Sequence, residues 1–426
     1  MTLTIFLGTL LGSMAIGIPI AFALLLVSVA LMFQLDLFDS QIIAQNLLNG
    51  ADSFPLMAVP FFMLAGEIMN AGGLSKRIVT IAMTLVGHKR GGLGYVAIIA
   101  SCLLASLSGS AVADAAALAA LLVPMMVTAG HSRGRSAGLI AAGGIIAPVI
   151  PPSIGFIIFG VASGVSISKL FLAGIVPGIM LGAALAIAWW YTTRTEDVPV
   201  QEKRSRKEIL HALVDGSWAL GLPFIIIFGL KFGIFTPTEA AVVAAVYALF
   251  VATVIYRELK LSQVFEVIVT AAKTTSGVML LVAAAMVSAW LVTIADLPGQ
   301  LASVLEPFME HPTILLLIVM AVIVAVGMVM DMTPAILILT PVLLPAIKQA
   351  GIDPVYFGVL FILNTSIGLL TPPVGTVLNV VCAVSKLRME EMVRGVWPFL
   401  LAQILVLLLL ILFPGLVTIP MHFFHG

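Results

Sequence analysis

Long apolar runs of about 20 residues, enough for one helix to cross a bilayer, recur along the chain, as at 171–191 and 396–413. Roughly ten to twelve such spans are predicted. The strand-period alternation of an outer-membrane barrel is absent, and the runs far exceed its ~10-residue segments, so the spans read as helices. The opening run, 1–33, has neither a charged leading region nor a small-residue cleavage site before a polar domain. It reads as membrane segment, either one tilted span or one broken near Gly17-Ile18-Pro19.

The pattern repeats. Pro124 pairs with Pro345, Ala129-Gly130 with Ala350-Gly351, Pro151-Pro152 with Pro372-Pro373 and Pro177 with Pro398, all at a separation of 221 residues without a gap. Prolines are costly inside helices, so their coincidence at one offset points to duplicated halves, 1–193 and 211–426, with a linker at 194–210.

Lysine and arginine orient the halves, because cytoplasmic loops collect them. Residues 34–53 carry none, whereas 255–274 carry Arg257, Lys260 and Lys273. Segment 71–92 has Lys76, Arg77, Lys89 and Arg90, and 292–313 has none. The turn at 131–135 is basic and its partner at 352–354 is not, while 384–394 holds three cations against one in 163–173. Alternation of this kind predicts an inverted-topology repeat. The linker, with Arg194, Lys203, Arg204, Arg206 and Lys207 after the aromatic Trp189-Trp190-Tyr191, is expected to be cytoplasmic.

Two places in each half depart from simple spans. Segments 93–107 and 111–127 are each about one span long or slightly short, yet both flanks of the pair are basic. A re-entrant hairpin over about 93–128, turning at 106–110, reconciles the two facts, and its partner covers about 314–348, turning at 328–331. After each hairpin comes an apolar stretch interrupted in its middle, about 137–161 and about 355–384, with Pro-Pro at both breaks. Two adjacent prolines remove two donors and free carbonyls upstream. Freed carbonyls beside Ser and Thr hydroxyls suit a hard cation such as Na+, and half-helix N-termini suit an anion. Ser110, Pro151, Pro152 and Ser153 with Pro372, Pro373, Val374 and Gly375 therefore form the candidate substrate-binding region. A packing kink is the plainer explanation of a single Pro-Pro, but two at matched positions, each beside a hairpin tip, favour a site. Asp114 and Asp331 lie in otherwise apolar segments, where charge is expensive and faces a cavity or partner. Helix capping also accounts for Ser110 and Asp331, and for Glu239, while Glu67 is a weaker candidate.

Composition narrows the function classes. The chain is 61% hydrophobic and 9% charged with zero net charge, which excludes a soluble fold and leaves no footprint for nucleic acid. Cys102 and Cys382 sit in apolar runs as small packing residues, and the six histidines are in loops or at the terminus, which argues against a histidine proton relay. No Gly-Lys-Ser/Thr nucleotide loop occurs. An intramembrane enzyme using Ser108 or Ser110 with Asp114 would lack a neighbouring His or Lys, and duplication of the motif has no catalytic explanation. A channel would lack a four-fold pore signature. The expected class is an all-α polytopic membrane transporter, with no catalytic residues.

At Gly66-Glu67, Leu107-Ser108-Gly109-Ser110-Ala111-Val112-Ala113, Ile150-Pro151-Pro152-Ser153-Ile154, Phe171-Leu172-Ala173-Gly174-Ile175-Val176-Pro177-Gly178 and Thr371-Pro372-Pro373-Val374-Gly375, the chain resembles the large membrane subunit of tripartite ATP-independent periplasmic (TRAP) transporters. The resemblance covers nearly the full length. It implies an elevator-type secondary transporter of the bacterial inner membrane, driven by sodium and supplied with an organic acid, such as sialic acid or a C4-dicarboxylate, by a periplasmic substrate-binding protein. It also implies a first sodium site at Ser108, Gly109 and Asp114 with carbonyls near Gly144, Ala147 and Ile150. A second would use Gly327 and Asp331 with Thr365, Gly368 and Thr371. A separate small four-helix membrane subunit is expected as partner. A dicarboxylate/sodium symporter of related two-hairpin architecture, working without a binding protein, is the alternative within transport.

Overall fold

The computed structural model describes residues 2–194 and 203–425, and all regular structure among them is helical. The first half runs α1 (Thr2–Ala15), α2 (Ile20–Gln34), α3 (Ser40–Ala51), α4 (Ala58–Ala71), α5 (Leu74–Val86), α6 (Gly92–Ser108), α7 (Ala111–Thr128), α8 (Arg133–Gly144), α9 (Ile154–Ser163) and α10 (Ile167–Thr193). The second runs α11 (Arg206–Lys231), α12 (Pro237–Phe250), α13 (Leu261–Ile294), α14 (Leu297–Leu305), α15 (Pro312–Gly327), α16 (Met332–Gln349), α17 (Pro354–Leu369), α18 (Thr376–Ser385), α19 (Met389–Leu412) and α20 (Gly415–His425). From α6 to α10 the helices recur at the 221-residue offset as α15 to α19, with α7 and α16 matching at both ends.

Among the described residues eight helices are by themselves long and apolar enough to cross a membrane, fewer than the ten to twelve spans expected. The shortfall arises where spans are split. The opening run breaks at Gly17 (φ +86°), and α1 and α2 then fold back on each other, with Gln34 Nε2 donating to Thr2 Oγ1 at 3.3 Å across the ends. α8 with α9, and α17 with α18, are similarly halves of interrupted stretches. The stretch expected as linker lies partly outside the described residues, at 195–202, and its remainder is shortened by α11. That helix begins at Arg206 because Ser205 and Glu208 cap it reciprocally.

The helices pack as two groups that draw on both halves. α1 to α5 associate with α11, α12 and α13, chiefly through α4 on α12, α13 on α2 and α3, and α5 on α11. α6 to α10 associate with α15 to α20, through α8 on α19, α15 on α17, α7 on α18 and α9 on α16. In the first group Arg77 of α5 fixes the base: it pairs with Glu258 at 2.7 Å and Asp215 at 3.1 Å and stacks on the Tyr256 ring at 3.7 Å. Large apolar side chains such as Ile187, Phe265 and Leu405 are exposed around the outside, as lipid-facing surface requires.

The closest helix contact in the second group is built on glycine. Gly134 and Gly138, four residues apart on α8, face Gly395 of α19, so that a Cβ on Gly138 would lie 2.6 Å from the Gly395 carbonyl carbon. Gln403, buried in the same helix, donates to the Ala142 carbonyl at 2.7 Å. Membrane helices associate through such small-residue contacts and interhelical hydrogen bonds because no hydrophobic driving force separates protein from lipid tails. Gly138→Val is expected to lower stability by about 1–3 kcal/mol through overpacking, seen as a reduced melting temperature of the detergent-solubilised protein.

Candidate binding site

The two tips of the helix pairs α6–α7 and α15–α16 lie against the two breaks. At the first, α6 ends with Gly109 in the left-handed region (φ +61°), and Ser110 caps α7 by accepting from Ala113 N at 3.4 Å. A Cβ on Gly109 would lie 2.9 Å from the Pro152 carbonyl oxygen and 3.1 Å from Ile154 N, so only glycine lets this tip rest on the backbone of the break between α8 and α9. Ser108 Oγ accepts from Ser110 N at 3.2 Å and donates to Asp114 Oδ1 at 2.5 Å. Asp114 is buried, and its other carboxylate oxygen has no hydrogen-bond partner. Gly144 lies beside the start of α7, where a Cβ would lie 3.0 Å from the Ala111 carbonyl oxygen.

Ser108, Gly109, Asp114 and Gly144 are thus brought together. Ala147 is tied to Gly144 by its N–H at 3.1 Å, and the Ile150 side chain packs towards Gly178 of α10, so these two can offer only their carbonyls. Pro151, Pro152 and Ser153 are buried; Ser153 caps α9 by accepting from Phe156 N at 3.2 Å and donates to the Pro148 carbonyl.

The second tip is built differently. A Cβ on Gly327 would lie 3.1 Å from the Thr365 carbonyl oxygen and 3.2 Å from Gly368 Cα, and Gly375 N donates to the Met328 carbonyl at 3.3 Å, so this tip is stitched to the break between α17 and α18. Thr365 and Thr371 donate to the carbonyls of Phe361 (2.8 Å) and Ile367 (2.7 Å), which leaves their hydroxyl oxygens free to accept. Asn364, buried alongside, donates to the Met320 carbonyl at 2.6 Å. Asp331 follows this tip at the start of α16 and shares a cavity with Leu369, next to Gly368. It is exposed at the N-cap of α16 and opens into a cavity shared with the first tip.

That cavity, about 410 Å³, lies between the two helix groups. Gly109, Ser110, Asp331 and the first turns of α7, α9 and α16 line it, faced by Met63 of α4 and by Thr274 and Val278 of α13. Three helix N-termini therefore converge on one space with positive dipole character, Ser110 and Ser153 taking up Ala113 N and Phe156 N at two of them. No lysine, arginine or histidine is among its described lining residues. Pro372, Pro373 and Val374, grouped with the substrate region from sequence, do not line it; they are half-buried to exposed, and Gly375 is buried.

Thr274, Met63 and Thr333 escaped the sequence reading because ordinary residues in amphipathic or apolar runs carry no signal of facing a cavity. Buried Asn364 and Gln403 could have been found as polar side chains inside apolar segments.

A family model described as "Tripartite ATP-independent periplasmic transporter, DctM component" matches residues 7–416. The chain belongs to this family. As a TRAP transporter large permease it is a multi-pass protein of the bacterial inner membrane. It is 60% identical over its whole length, and over the whole of the relative, to the 2,3-diketo-L-gulonate TRAP transporter large permease protein of Escherichia coli (strain K12). It is 39% identical to the sialic acid TRAP transporter large permease protein of Vibrio cholerae serotype O1, across 98% of this chain and 97% of that one. The crystal structure of the Alcanivorax borkumensis YdaH transporter shares the fold, with a TM-score of 0.65 at 16% identity over 89% of this permease and 90% of that chain.

Gly109 and Gly351 share a positive φ, but a Cβ on Gly351 meets open space. Alanine in the left-handed region costs about 1–3 kcal/mol at either position, and only at Gly109 does backbone overlap add to it. Gly109→Ala is therefore expected to lower the melting temperature further than Gly351→Ala; equal shifts would mean that the tip does not rest on the break.

Proposed function

We propose that this permease takes up an organic acid across the inner membrane, coupled to sodium. The observation that carries this reading is the convergence of three helix N-termini on one cavity between the helix groups. Unpaired N–H groups at helix starts bind carboxylates and phosphates without a cationic side chain, and a site so built releases its anion more readily than an arginine clamp would. The relatives' names support the substrate class: 2,3-diketo-L-gulonate and sialic acid are both carboxylates carrying several hydroxyls. Ser110, Thr333 and Thr274 supply hydroxyls along the wall for such a substrate.

Sodium is assigned to the tips. The unpartnered Asp114 oxygen, the Ser108 hydroxyl and carbonyls of Gly144, Ala147 and Ile150 make a hard-oxygen set for one ion. Gly327, Thr365, Gly368 and Thr371 make another, with Asp331 between it and the substrate. Each ion drawn inward contributes about 2.3 kcal/mol per 100 mV of membrane potential.

In this reading α6–α7 and α15–α16 are re-entrant hairpins of two inverted repeats. The group holding the tips and breaks moves as a unit against the group of α1 to α5 with α11 to α13, an elevator motion that leaves the site formed. Partners are a small membrane subunit and a periplasmic binding protein that delivers substrate.

Proteoliposome uptake of 2,3-diketo-L-gulonate and sialic acid, with and without sodium and with and without a cognate binding protein, tests the proposal. Uptake is expected only with both, and Asp114→Ala and Asp331→Ala are each expected to reduce it by more than tenfold, the effect of losing about 1.4 kcal/mol. Normal sodium coupling in both variants would refute the site assignment, and uptake without a binding protein would favour a stand-alone symporter.

A further inference from the structure

Away from this site, a second pocket of about 420 Å³ lies in the groove between α7 and α18, at the end where α8 begins. Its floor is apolar, with Ala120, Val123, Pro124 and Val127 from α7 and Val384 from α18. Its mouth is basic: Arg133 and Lys386 both line it, both are exposed, and neither has a carboxylate within ion-pair distance among the described residues. Arg133 donates to the Ser385 carbonyl, which orients its guanidinium across the groove and leaves most of its five donors unused. The Ser385 hydroxyl, in a residue 7% exposed that also lines the pocket, has no hydrogen-bond partner.

The repeat does not require these groups. At the 221-residue offset Arg133 corresponds to Pro354, Ser385 to Gly164 and Lys386 to Val165, so packing at these three positions needs neither cation nor hydroxyl, while Lys348, Thr340 and Ser163 stand where this pocket has Val127, Ala119 and Val384. Glu391 packs its stem against Gly134 and does not line the pocket. The ligand chemistry is therefore that of a phosphate anion. Its source is indicated by the apolar surface that continues from the pocket: Val127 and Val384 are 39% and 38% exposed, on a chain whose outer face meets lipid tails. A soluble anion would leave that surface unused, whereas a phospholipid covers it with its acyl chains.

We propose that this pocket binds the headgroup of an anionic phospholipid, with Arg133 and Lys386 holding the phosphate, the Ser385 hydroxyl donating to it, and the acyl chains lying along α7 and α18. The Lys/Arg-rich end of the helices then has a lipid clamped to the first tip's own helix, α7. The site is independent of how substrate and sodium are handled.

Native mass spectrometry of the detergent-purified permease, titrated with phosphatidylglycerol, with phosphatidylcholine and with inorganic phosphate, tests it. Phosphatidylglycerol is expected to bind more tightly than phosphatidylcholine, and millimolar phosphate not to displace it. Lys386→Gln should weaken phosphatidylglycerol about fivefold, the worth of one basic residue at an anionic surface. Lys386→Arg should restore it, which separates headgroup binding from loss of fold. Ser385→Ala, which removes only an unpartnered hydroxyl, gives a second reading and should also weaken binding, while Lys169→Gln should change nothing. Equal binding of the two lipids, displacement by phosphate, or unaltered binding in both Lys386→Gln and Ser385→Ala would each overturn the proposal.

Discussion

Backbone that leaves the helix at membrane depth must find partners within the protein, because hydrocarbon offers none. Everything about the centre of this permease follows from that constraint. Each half ends two helices inside the bundle, at a tip and at a break, and each tip rests on the break of its own half. Gly109 lets the first tip approach the carbonyl of Pro152, and Gly327 and Gly368 meet where the second tip crosses α17. Among the groups at the first tip, one buried carboxylate oxygen, Asp114 Oδ2, has no partner.

The same constraint explains why the two halves, alike in helix order, are not alike in chemistry. Asp114 is one turn inside α7 and buried, held by Ser108, whereas Asp331 precedes α16 and is exposed to the cavity. Duplication supplies the same scaffold to both halves, and a shift of a few residues along one helix places one carboxylate behind its tip and the other at the cavity.

Three helix starts line the cavity, with no lysine, arginine or histidine among the described lining residues and with Thr274 and Met63 contributed from the facing group. α4 and α13 belong to one helix group and the tips to the other, so the two walls of the cavity come from different groups, whereas tip and break within a half pack on each other.

Much of this was legible in the residues. Apolar run lengths fixed the helical membrane class, span length and basic flanks pointed to the tips, and the repeated Pro-Pro pairs pointed to the breaks, beside which α8, α9, α17 and α18 are observed. Such features are local, set by periodicity and by proline's missing donor, so the sequence alone determines them. What the tertiary structure alone decided is which groups share a space. It put Asp331 with Ser110 across the two halves, kept Pro372 to Val374 out of the cavity, and brought in Thr274 from a helix that shows no sign of a site. Proximity between residues more than a hundred positions apart arises from helix packing, through close glycine contacts and buried hydrogen bonds such as Gln403 to Ala142, and no local pattern encodes it.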